Sequence, residues 1–397
     1  MRRIDLKKAQ AARSSTIRDI NRQIVLNYVR EREPISRADI ARETNLQRST
    51  VSTIVEELKG EGLVEEIGAG KSTGGRRPTL LRLRAAGATA IGVDMTPSRT
   101  TVAASDLAGR VLELREFDNV PRPDEMVARV VEGVRAVAEA NTGGEFMGVG
   151  ISLPGLVDPD TGRAFYIPFF RWRDWPIAEE IEAATGLKVR VDNDANAAAT
   201  AELWFGRPEI SDARDFIMVL VAEGIGTGIV FDGQIYRGER GAAGEFGHMI
   251  VGQQAPVKCS CGNRDCWEAF ASERAALGRY AAAGGDGGGA IDFDGLVERA
   301  LGGESAAIDA LSEMAHYLGI GISNIIVGLS PETVVVGGKI TRAWSLVAPS
   351  LEETIHRSVR RGLPSARIVP STLGGQPTLM GAISLILSRK FGLAEQQ

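Results

Sequence analysis

Two stretches, IGVDMTPSRTTVAASDLAGRVL at 91–112 and IMVLVAEGIGTGIVFDGQIYRG at 217–238, follow the same pattern. Each predicts a strand, a turn, a second strand, a tight turn and a third strand. Ala-Gly at 108–109 and Asp-Gly at 232–233 occupy the tight turns. Short apolar strands alternating with helical patterns follow in both halves: MGVGISL and KVRVD, then ETVVVGG. This duplication predicts two α/β lobes with a ligand cleft between them.

The composition is that of a globular protein, with 397 residues, 44% hydrophobic and 24% charged. The longest apolar runs, such as IGISNIIVGL, are short and interrupted by glycine and asparagine, so no membrane span is expected. Charged residues at 5, 7 and 8 follow the opening Met-Arg-Arg, so no secretory leader is expected either. These features predict a cytoplasmic protein.

Charge is distributed unevenly along the chain. Residues 1–84 carry 18 Lys and Arg against 11 Asp and Glu, a balance of +7. The remaining residues carry 28 basic and 40 acidic side chains, a balance of −12. A basic unit on an acidic body indicates that only the first part of the chain meets a polyanion.

The basic unit has the pattern of a DNA-binding winged helix. Apolar periodicity predicts a helix from Thr16 to Arg32, a second in SRADIARET with Ser36 as its cap, and a third over 48–59. The strand-like runs LVEEI and TLLRL flank the basic loop GAGKSTGGRRP, which predicts a hairpin wing. In such units the third helix enters the major groove and the wing contacts phosphate or the minor groove. The candidate DNA-binding residues are Gln47, Arg48, Ser49, Thr50, Thr53, Arg76 and Arg77. A small helical bundle that binds another protein is the alternative.

All three cysteines and one of the three histidines lie in one short stretch, GHMIVGQQAPVKCSCGNRDCWE at 247–268. Three thiolates and an imidazole make a complete tetrahedral set for Zn²⁺ and leave no open position, so a structural ion is predicted. The expected ligands are His248, Cys259, Cys261 and Cys266. The alternative is three reduced cysteines packed as small apolar side chains.

Several motifs in the body resemble those of the ROK family (repressors, open reading frames, kinases): PGLVD, DNDANAAATAE, GAAGEFGHM, CSCGNRDCWE and VVVGG. The segment STGGRRPTLLRL is similar to the wing of ROK transcriptional regulators, including the sugar-responsive repressors. The resemblance implies an α/β fold: an N-terminal winged helix-turn-helix, then a two-lobed actin-like (ribonuclease H-like) sugar kinase fold. The expected boundaries are 1–84 for the DNA-binding domain, 88–200 for the first lobe, and 201–397 for the second lobe with the zinc loop and dimer contacts.

The resemblance also implies a sugar site and a structural zinc. In the family's sugar kinases the aspartate matching Asp194 is the general base, and the asparagine matching Asn193 binds hydroxyls. The residues matching Glu245, His248 and Glu268 contact sugar hydroxyls as well. Two alternatives remain: Asn193 and Asp194 as helix caps, and Glu245 and Glu268 as surface charges.

The sequence departs from the kinase pattern in both phosphate loops. Relatives have Asp-x-Gly-Gly-Thr where this chain has side chains over 94–100, including Pro97, which lacks an amide donor. The usual Gly-Thr-Gly-Ile-Gly becomes Ala-Glu-Gly-Ile-Gly at 222–226, and Glu223 sets a negative charge where a phosphate would lie. Relatives often carry Pro-Asn-Leu where this chain has Pro168-Phe169-Phe170, which bears on the sugar. ATP binding and catalysis are therefore not expected.

These features predict a DNA-binding regulator of carbohydrate metabolism genes, a repressor controlled by a free sugar. Its expected partners are double-stranded operator DNA and a sugar effector, with the chain as a homodimer or homotetramer. One alternative is an ATP-dependent sugar kinase that carries a DNA-binding head and uses Asp194 as its base. A third interpretation is a regulator that senses a partner protein through the zinc loop.

Overall fold

The computed structural model describes residues 14–70, 77–141, 145–211, 213, 215–285, 291–359 and 362–391. Within these ranges no helix is both long and apolar enough to cross a membrane. The first unit is the predicted winged helix, with a three-stranded sheet in the order β1-β3-β2. Its elements are α1 (Ser14–Arg32), β1 (Ile35–Ser36), α2 (Arg37–Thr44), α3 (Arg48–Gly60), β2 (Val64–Ala69) and β3 (Thr79–Leu83).

Local sequence signals set the ends of the winged-helix elements. Ser36 caps α2 by accepting a hydrogen bond from the Asp39 amide at 3.2 Å. Asn45 ends α2 in the left-handed conformation, with φ of 57°. The short strand β1 was not predicted, because two residues carry no periodicity and it forms only by pairing with β3. The apolar face of α3 is buried as predicted, through Val51, Ile54, Val55 and Leu58.

The first lobe is built on a five-stranded sheet in the order β11-β7-β4-β5-β6. Its strands are β4 (Ala88–Met95), β5 (Arg99–Ser105), β6 (Val111–Asp118), β7 (Glu145–Leu153) and β11 (Val189–Asn193). A small antiparallel sheet holds β8 (Leu156–Asp158), β9 (Arg163–Ile167) and β10 (Trp172–Trp175). The helices are α4 (Pro123–Glu139), α5 (Ile177–Thr185) and α6 (Asp194–Phe205).

The second lobe repeats this sheet in the order β14-β13-β12-β15-β16. The element α7 (Pro208–Ser211) precedes β12 (Phe216–Val221), β13 (Ile225–Phe231) and β14 (Gln234–Ile235). The later strands are β15 (Thr333–Gly337) and β16 (Arg367–Pro370). The helices are α8 (Trp267–Ala271), α9 (Glu273–Ala282), α10 (Phe293–Leu301), α11 (Ser305–Leu329), α12 (Trp344–Ser358) and α13 (Pro377–Phe391).

The two five-stranded sheets confirm the predicted duplication. In each, three consecutive strands form an antiparallel meander, and two later strands add in parallel beside the first of the three. The tight turns lie where predicted: Gly109 has a φ of 78°, and Asp232 and Gly233 have φ of 57° and 73°. The carboxyl ends of the parallel strands in both lobes face the cleft, which is where ligand sites form in such sheets.

The last helix does not pack with the lobe that precedes it. Helix α13 contacts β4, β7 and α6 of the first lobe. A Cβ on Gly150 would overlap the carbonyl of Ala382, so strand β7 and helix α13 touch through their backbones. The predicted range of 201–397 for the second lobe therefore has to be corrected over 377–391, because helix α13 packs on the sheet of the first lobe. The division into three units otherwise stays a prediction.

Candidate functional site

The four predicted metal ligands converge. One ligand atom from each of His248, Cys259, Cys261 and Cys266 lies within 4.8 Å of the other three. The Cys259 sulfur is 3.4 Å from His248 Nδ1 and 3.1 Å from the Cys261 sulfur, which lies 3.8 Å from that of Cys266. A zinc ion with Zn–S bonds of about 2.3 Å needs sulfurs separated by roughly 3.8 Å. The donor set therefore fits a four-coordinate zinc, and the Cys261–Cys266 separation of 3.8 Å matches the required spacing, whereas Cys259 and Cys261 lie closer together.

The backbone of the loop is shaped to hold this cluster. Amides of Cys261 and Asn263 point at the sulfurs of Cys259 and Cys261, both at 3.4 Å. Burial raises the pKa of the Cys259 thiol, and a hydrogen bond to Glu268 raises it further. A divalent cation supplies the charge that three neighbouring thiolates would require.

The metal loop aims three side chains into the cleft. His248 turns Nδ1 toward the sulfurs, while its Nε2 lies 3.4 Å from the Glu245 carboxylate. Glu268, in the first turn of α8, is 4% exposed and accepts from the amide and hydroxyl of Ser260, both at 3.1 Å. An ion held by the four candidate ligands would thus stabilise the backbone that presents Glu245, His248 and Glu268.

Asn193 and Asp194 approach the same space from the first lobe. They lie at the junction of β11 and α6, where the Asn193 side chain caps α6 by accepting from the amides of Ala195 and Asn196. The Asn193 amide group also donates to the carbonyl of Gly155 at 3.2 Å. Asp194 accepts from the Ala195 amide at 2.8 Å through one oxygen. Capping and ligand binding are therefore compatible at this junction.

All five residues predicted to bind sugar line one cavity of about 100 Å³ between the lobes. Phe169 and Pro168 supply apolar lining, and Gly224 and Gly226 also line the cavity. Carboxylates and an amide beside an aromatic face can bind the hydroxyls and the apolar face of a small polyol. The polar residues brought together are Asn193, Asp194, Glu245, His248 and Glu268.

The cleft carboxyls hold their protons unusually tightly. Burial raises the pKa of Asp194 to about 7, and the charges of Asp94 and Glu245 add to that rise. Burial also raises the pKa of Asp94 to about 6 and increases that of Glu245. Near neutral pH, Asp194 can therefore donate or accept a hydrogen bond.

This arrangement predicts that the stability of the protein depends on pH and that Asp194→Asn weakens this dependence. The folded-state pKa of Asp194 is above its usual 3.8, so its contribution is fully present below about pH 4 and is lost as pH rises to about 7. Asparagine has no proton to lose. The free energy of unfolding of the variant minus that of wild type should therefore rise between pH 4 and pH 8. The expected rise is at least about 1.4 kcal/mol, the equivalent of one pKa unit. Denaturant titrations at both pH values measure it, and parallel losses in the two proteins would contradict it.

A second cavity of about 620 Å³ adjoins the first and shares Asp194 and Glu223 with it. Both loops that depart from the kinase pattern line it. The Ser98 hydroxyl, from the first loop, donates to the Glu223 carboxylate, from the second, at 3.0 Å. The two loops therefore contact each other directly across the cleft.

The face of the winged helix presents the predicted DNA-binding side chains. Gln47, Arg48 and Ser49 are exposed at the start of α3, with Thr53 one turn further and Thr50 half-buried. Arg77 is exposed at the base of the wing, whereas Arg76 lies outside the described residues. Carboxylates pair with Arg18, Arg22, Arg37, Arg42, Lys59 and Arg82.

Two residues of the cleft were missed by sequence reasoning. Ser260 holds Glu268, and its position between two metal ligands is a signal that could have found it. Arg274 donates from Nε to the Glu223 carbonyl at 2.7 Å, and another of its nitrogens lies 3.6 Å from Glu268. No sequence pattern indicated Arg274, because its partners are 51 and 6 positions away.

Comparison with known proteins agrees with this geometry. The ROK family profile matches residues 90–389, and that of the MarR family matches residues 24–77. A xylose repressor of Caldicellulosiruptor bescii is 32% identical over 399 residues, covering 96% of this chain and 98% of that protein. A solved ROK family transcriptional regulator, a homolog of the E. coli MLC protein, superimposes with a TM-score of 0.78 at 28% identity, covering 95% of this chain and 98% of its own. A ROK family glucokinase from Streptomyces griseus, solved with glucose and AMPPNP, gives a TM-score of 0.68 at 29% identity, covering 75% and 98%.

A MarR-type winged helix joined to a two-lobed, actin-like kinase fold defines the architecture of a transcriptional regulator built on a sugar kinase body. The chain belongs to the ROK family.

Proposed function

We propose that this protein is a transcriptional repressor of carbohydrate metabolism genes, and that a free sugar controls its binding to operator DNA. The observation that carries the proposal is the convergence of Asn193, Asp194, Glu245, His248 and Glu268 in one cavity of a body that bears a winged helix. Side chains that can hydrogen-bond hydroxyl groups, next to an apolar lining, suit a sugar as the ligand. A body of this kind fused to a winged helix suits an effector-controlled DNA-binding protein.

The first sugar to test is D-xylose. The similar protein from Caldicellulosiruptor bescii is a xylose repressor, and the match extends over nearly the whole of both chains. In this chain Phe169 lines the cavity where relatives often have asparagine. An aromatic face favours stacking on the apolar face of a pyranose and adds no hydrogen bond.

The absence of catalysis is part of the proposal. Pro97 has no amide to donate to a phosphate, and Glu223 presents a carboxylate that Ser98 already binds. Phosphoryl transfer depends on phosphate positioning and charge neutralisation, and these loops supply neither. The zinc is proposed as a structural ion with four protein ligands. A homodimer or homotetramer is proposed because operators are commonly palindromic, and action on operators implies the cytoplasm.

Arg48→Ala and Arg77→Ala should each weaken operator binding without changing sugar affinity. Both arginines are exposed near the proposed DNA surface, and in the described part of the winged helix neither has a carboxylate within ion-pair distance. Loss of one phosphate contact in each winged helix lowers the slope of the logarithm of the operator-binding constant, plotted against the logarithm of the salt concentration, by about one unit. Fluorescence anisotropy at several salt concentrations measures the slope. Arg82→Ala, whose arginine pairs with Glu65, is the matched control, and unchanged slopes would remove both residues from the interface.

The experiment that tests the function is operator binding with and without sugar, in the absence of ATP. An operator is selected from genomic fragments by the purified, zinc-loaded protein. D-xylose and a panel of other aldoses and amino sugars are then titrated against the complex. A change in operator affinity with one sugar supports the proposal. Affinity indifferent to every sugar would contradict it.

A second candidate is an active sugar kinase with a DNA-binding head. The pKa of Asp194, about 7, suits a general base, and a cavity of about 620 Å³ adjoins it. ATP consumption with the same sugar panel tests this candidate. Turnover that Asp194→Asn abolishes would establish catalysis and overturn the non-catalytic proposal.

A further inference from the structure

Helix α6 connects the cavity of about 100 Å³ that is proposed to bind the sugar, called the effector cavity below, to the opposite side of the body. Its first residues, Asn193 at the cap and Asp194, line the cavity. Every residue from Ala195 to Glu202 is buried. Twelve residues at 1.5 Å each give the helix a length of about 18 Å. One end of a rigid element therefore lies in the cavity, and its other end lies well outside it.

Both lobes hold α6 without side chains in between. A Cβ on Gly228, in strand β13, would lie 2.6 Å from the Ala195 carbonyl and 2.8 Å from the Ala199 methyl. On another side, a Cβ on Gly381 of α13 would overlap the backbone of Ala197. Close-packed backbones cannot absorb a displacement by rotamer changes. A movement of either lobe against the other therefore has to move α6.

The far end of α6 contacts the winged helix. The guanidinium carbon of Arg30, near the end of α1, lies 4.3 Å from the centroid of the Trp204 ring. The Arg30 side chain is only 13% exposed. Trp204 and Phe205 pack against a core cluster that also contains Val25, Leu26 and Val29 of α1. A cation held over a ring away from water is both a stabilising and an orienting contact.

A second attachment lies at the short connection between winged helix and body. The Arg84 amide donates to the Leu63 carbonyl at 2.9 Å, and the Leu107 amide donates to that of Ala85 at 3.1 Å. A Cβ on Gly87 would overlap the carbonyl of Gly62. The winged helix therefore meets the body at the connection at 84–87, at the Arg30–Trp204 contact and where α1 packs on α13. A shift of the α6 contact relative to the other two would rotate α1 and, through their shared core, α3.

We propose that Arg30 and Trp204 are positioning residues that couple the effector cavity to the DNA-binding surface through helix α6. The inference rests on the proposed sugar-controlled operator binding. Sugar bound between Asn193 on α6 and Glu245 and Glu268 on the other lobe changes the lobe spacing, and α6 carries that change to α1. Coupling of this kind requires the sugar to bind two states of the body unequally.

The test is the coupling factor, defined as operator affinity without sugar divided by operator affinity at saturating D-xylose. Allosteric factors in proteins are commonly about 5- to 150-fold. We expect Arg30→Met and Trp204→Leu to bring the factor to within about twofold of one. Calorimetry without DNA should show that both variants bind D-xylose with an affinity close to that of wild type, because neither residue lines the cavity. The Trp204→Phe variant keeps a ring face and should retain most of the coupling.

The matched control is Arg22→Met on the same helix, whose arginine pairs with Glu61 inside the winged helix at 2.5 Å. That change should leave the coupling factor intact even where it alters absolute operator affinity. Equal losses of operator affinity with and without sugar in Arg30→Met would make the contact merely structural and overturn the inference, as would full coupling in Trp204→Leu. Failure of the proposed function looks different, because wild-type protein itself would then show a factor of one.

Discussion

Replacing Cys261 by serine is expected to release the metal and to disable the sugar site while the protein still binds its operator. Cys261 is exposed, so the substitution removes a ligand without opening a cavity. Structural zinc binds with about 10–16 kcal/mol, so one ligand of four accounts for roughly 3 kcal/mol, about 100-fold in zinc affinity. Without the ion, Glu245, His248 and Glu268 lose the backbone that aims them. Sugar affinity should then fall by at least about tenfold, the effect of losing one hydrogen bond to a charged group.

Two measurements check this result. Metal analysis after dialysis against a mild chelator gives the zinc content, and calorimetry with D-xylose gives the sugar affinity. Arg264→Ser, an exposed change in the same loop that removes no ligand, is the control and should keep both. Normal sugar affinity in a zinc-free Cys261→Ser protein would show that the loop does not support the sugar site.

Glu245→Ala is expected to shift the response to sugar to about 10- to 100-fold higher sugar concentration, with the metal still in place. Glu245 contributes a carboxylate to the cavity and lies 3.4 Å from His248 Nε2, on the side of the ring that faces away from the sulfurs. A hydrogen bond to a charged group contributes about 1.5–3 kcal/mol. Its loss lowers affinity by about 10- to 100-fold. Zinc content and operator affinity without sugar should not change.

This variant also tests whether the protein senses a partner protein through its zinc loop. A partner that docks on the loop surface does not need Glu245 inside the cavity, so signalling that survives Glu245→Ala would favour that interpretation. Glu239→Ala removes an exposed carboxylate six residues away and is the matched control. Glu245→Gln separates charge from size, because glutamine retains a carbonyl acceptor without the negative charge.

Much of the fold was accessible from local patterns. The three helices of the winged helix, the two three-stranded meanders and the glycine turns at 109 and 233 all lie where periodicity and turn residues indicated. The candidate metal ligands were accessible for a similar reason: three of them fall within eight residues, so covalent connection already holds them close. The five candidate sugar ligands were named through motifs, and the structure brings them to one cavity.

Long-range packing was not accessible. The return of α13 to the first sheet depends on the fit of Gly150 against Ala382, more than 200 positions apart. Strand β1 exists only through its pairing with β3. The Ser98–Glu223 hydrogen bond joins two loops that were each read as altered phosphate loops, with no indication that they meet. Each of these contacts requires the chain to be folded before its partners are neighbours.

The sequence by itself determined the winged helix, the duplicated lobes and the four residues that could hold a metal ion, because those features depend on residues close along the chain. Only the tertiary structure decided which surfaces touch: the loop-to-loop contact in the cleft, the buried course of α6 between the lobes, and the placement of Arg30 over Trp204. The physical reason is that hydrophobic burial, which drives folding, is non-directional. It selects a compact state, and close backbone packing then settles which distant residues meet within it.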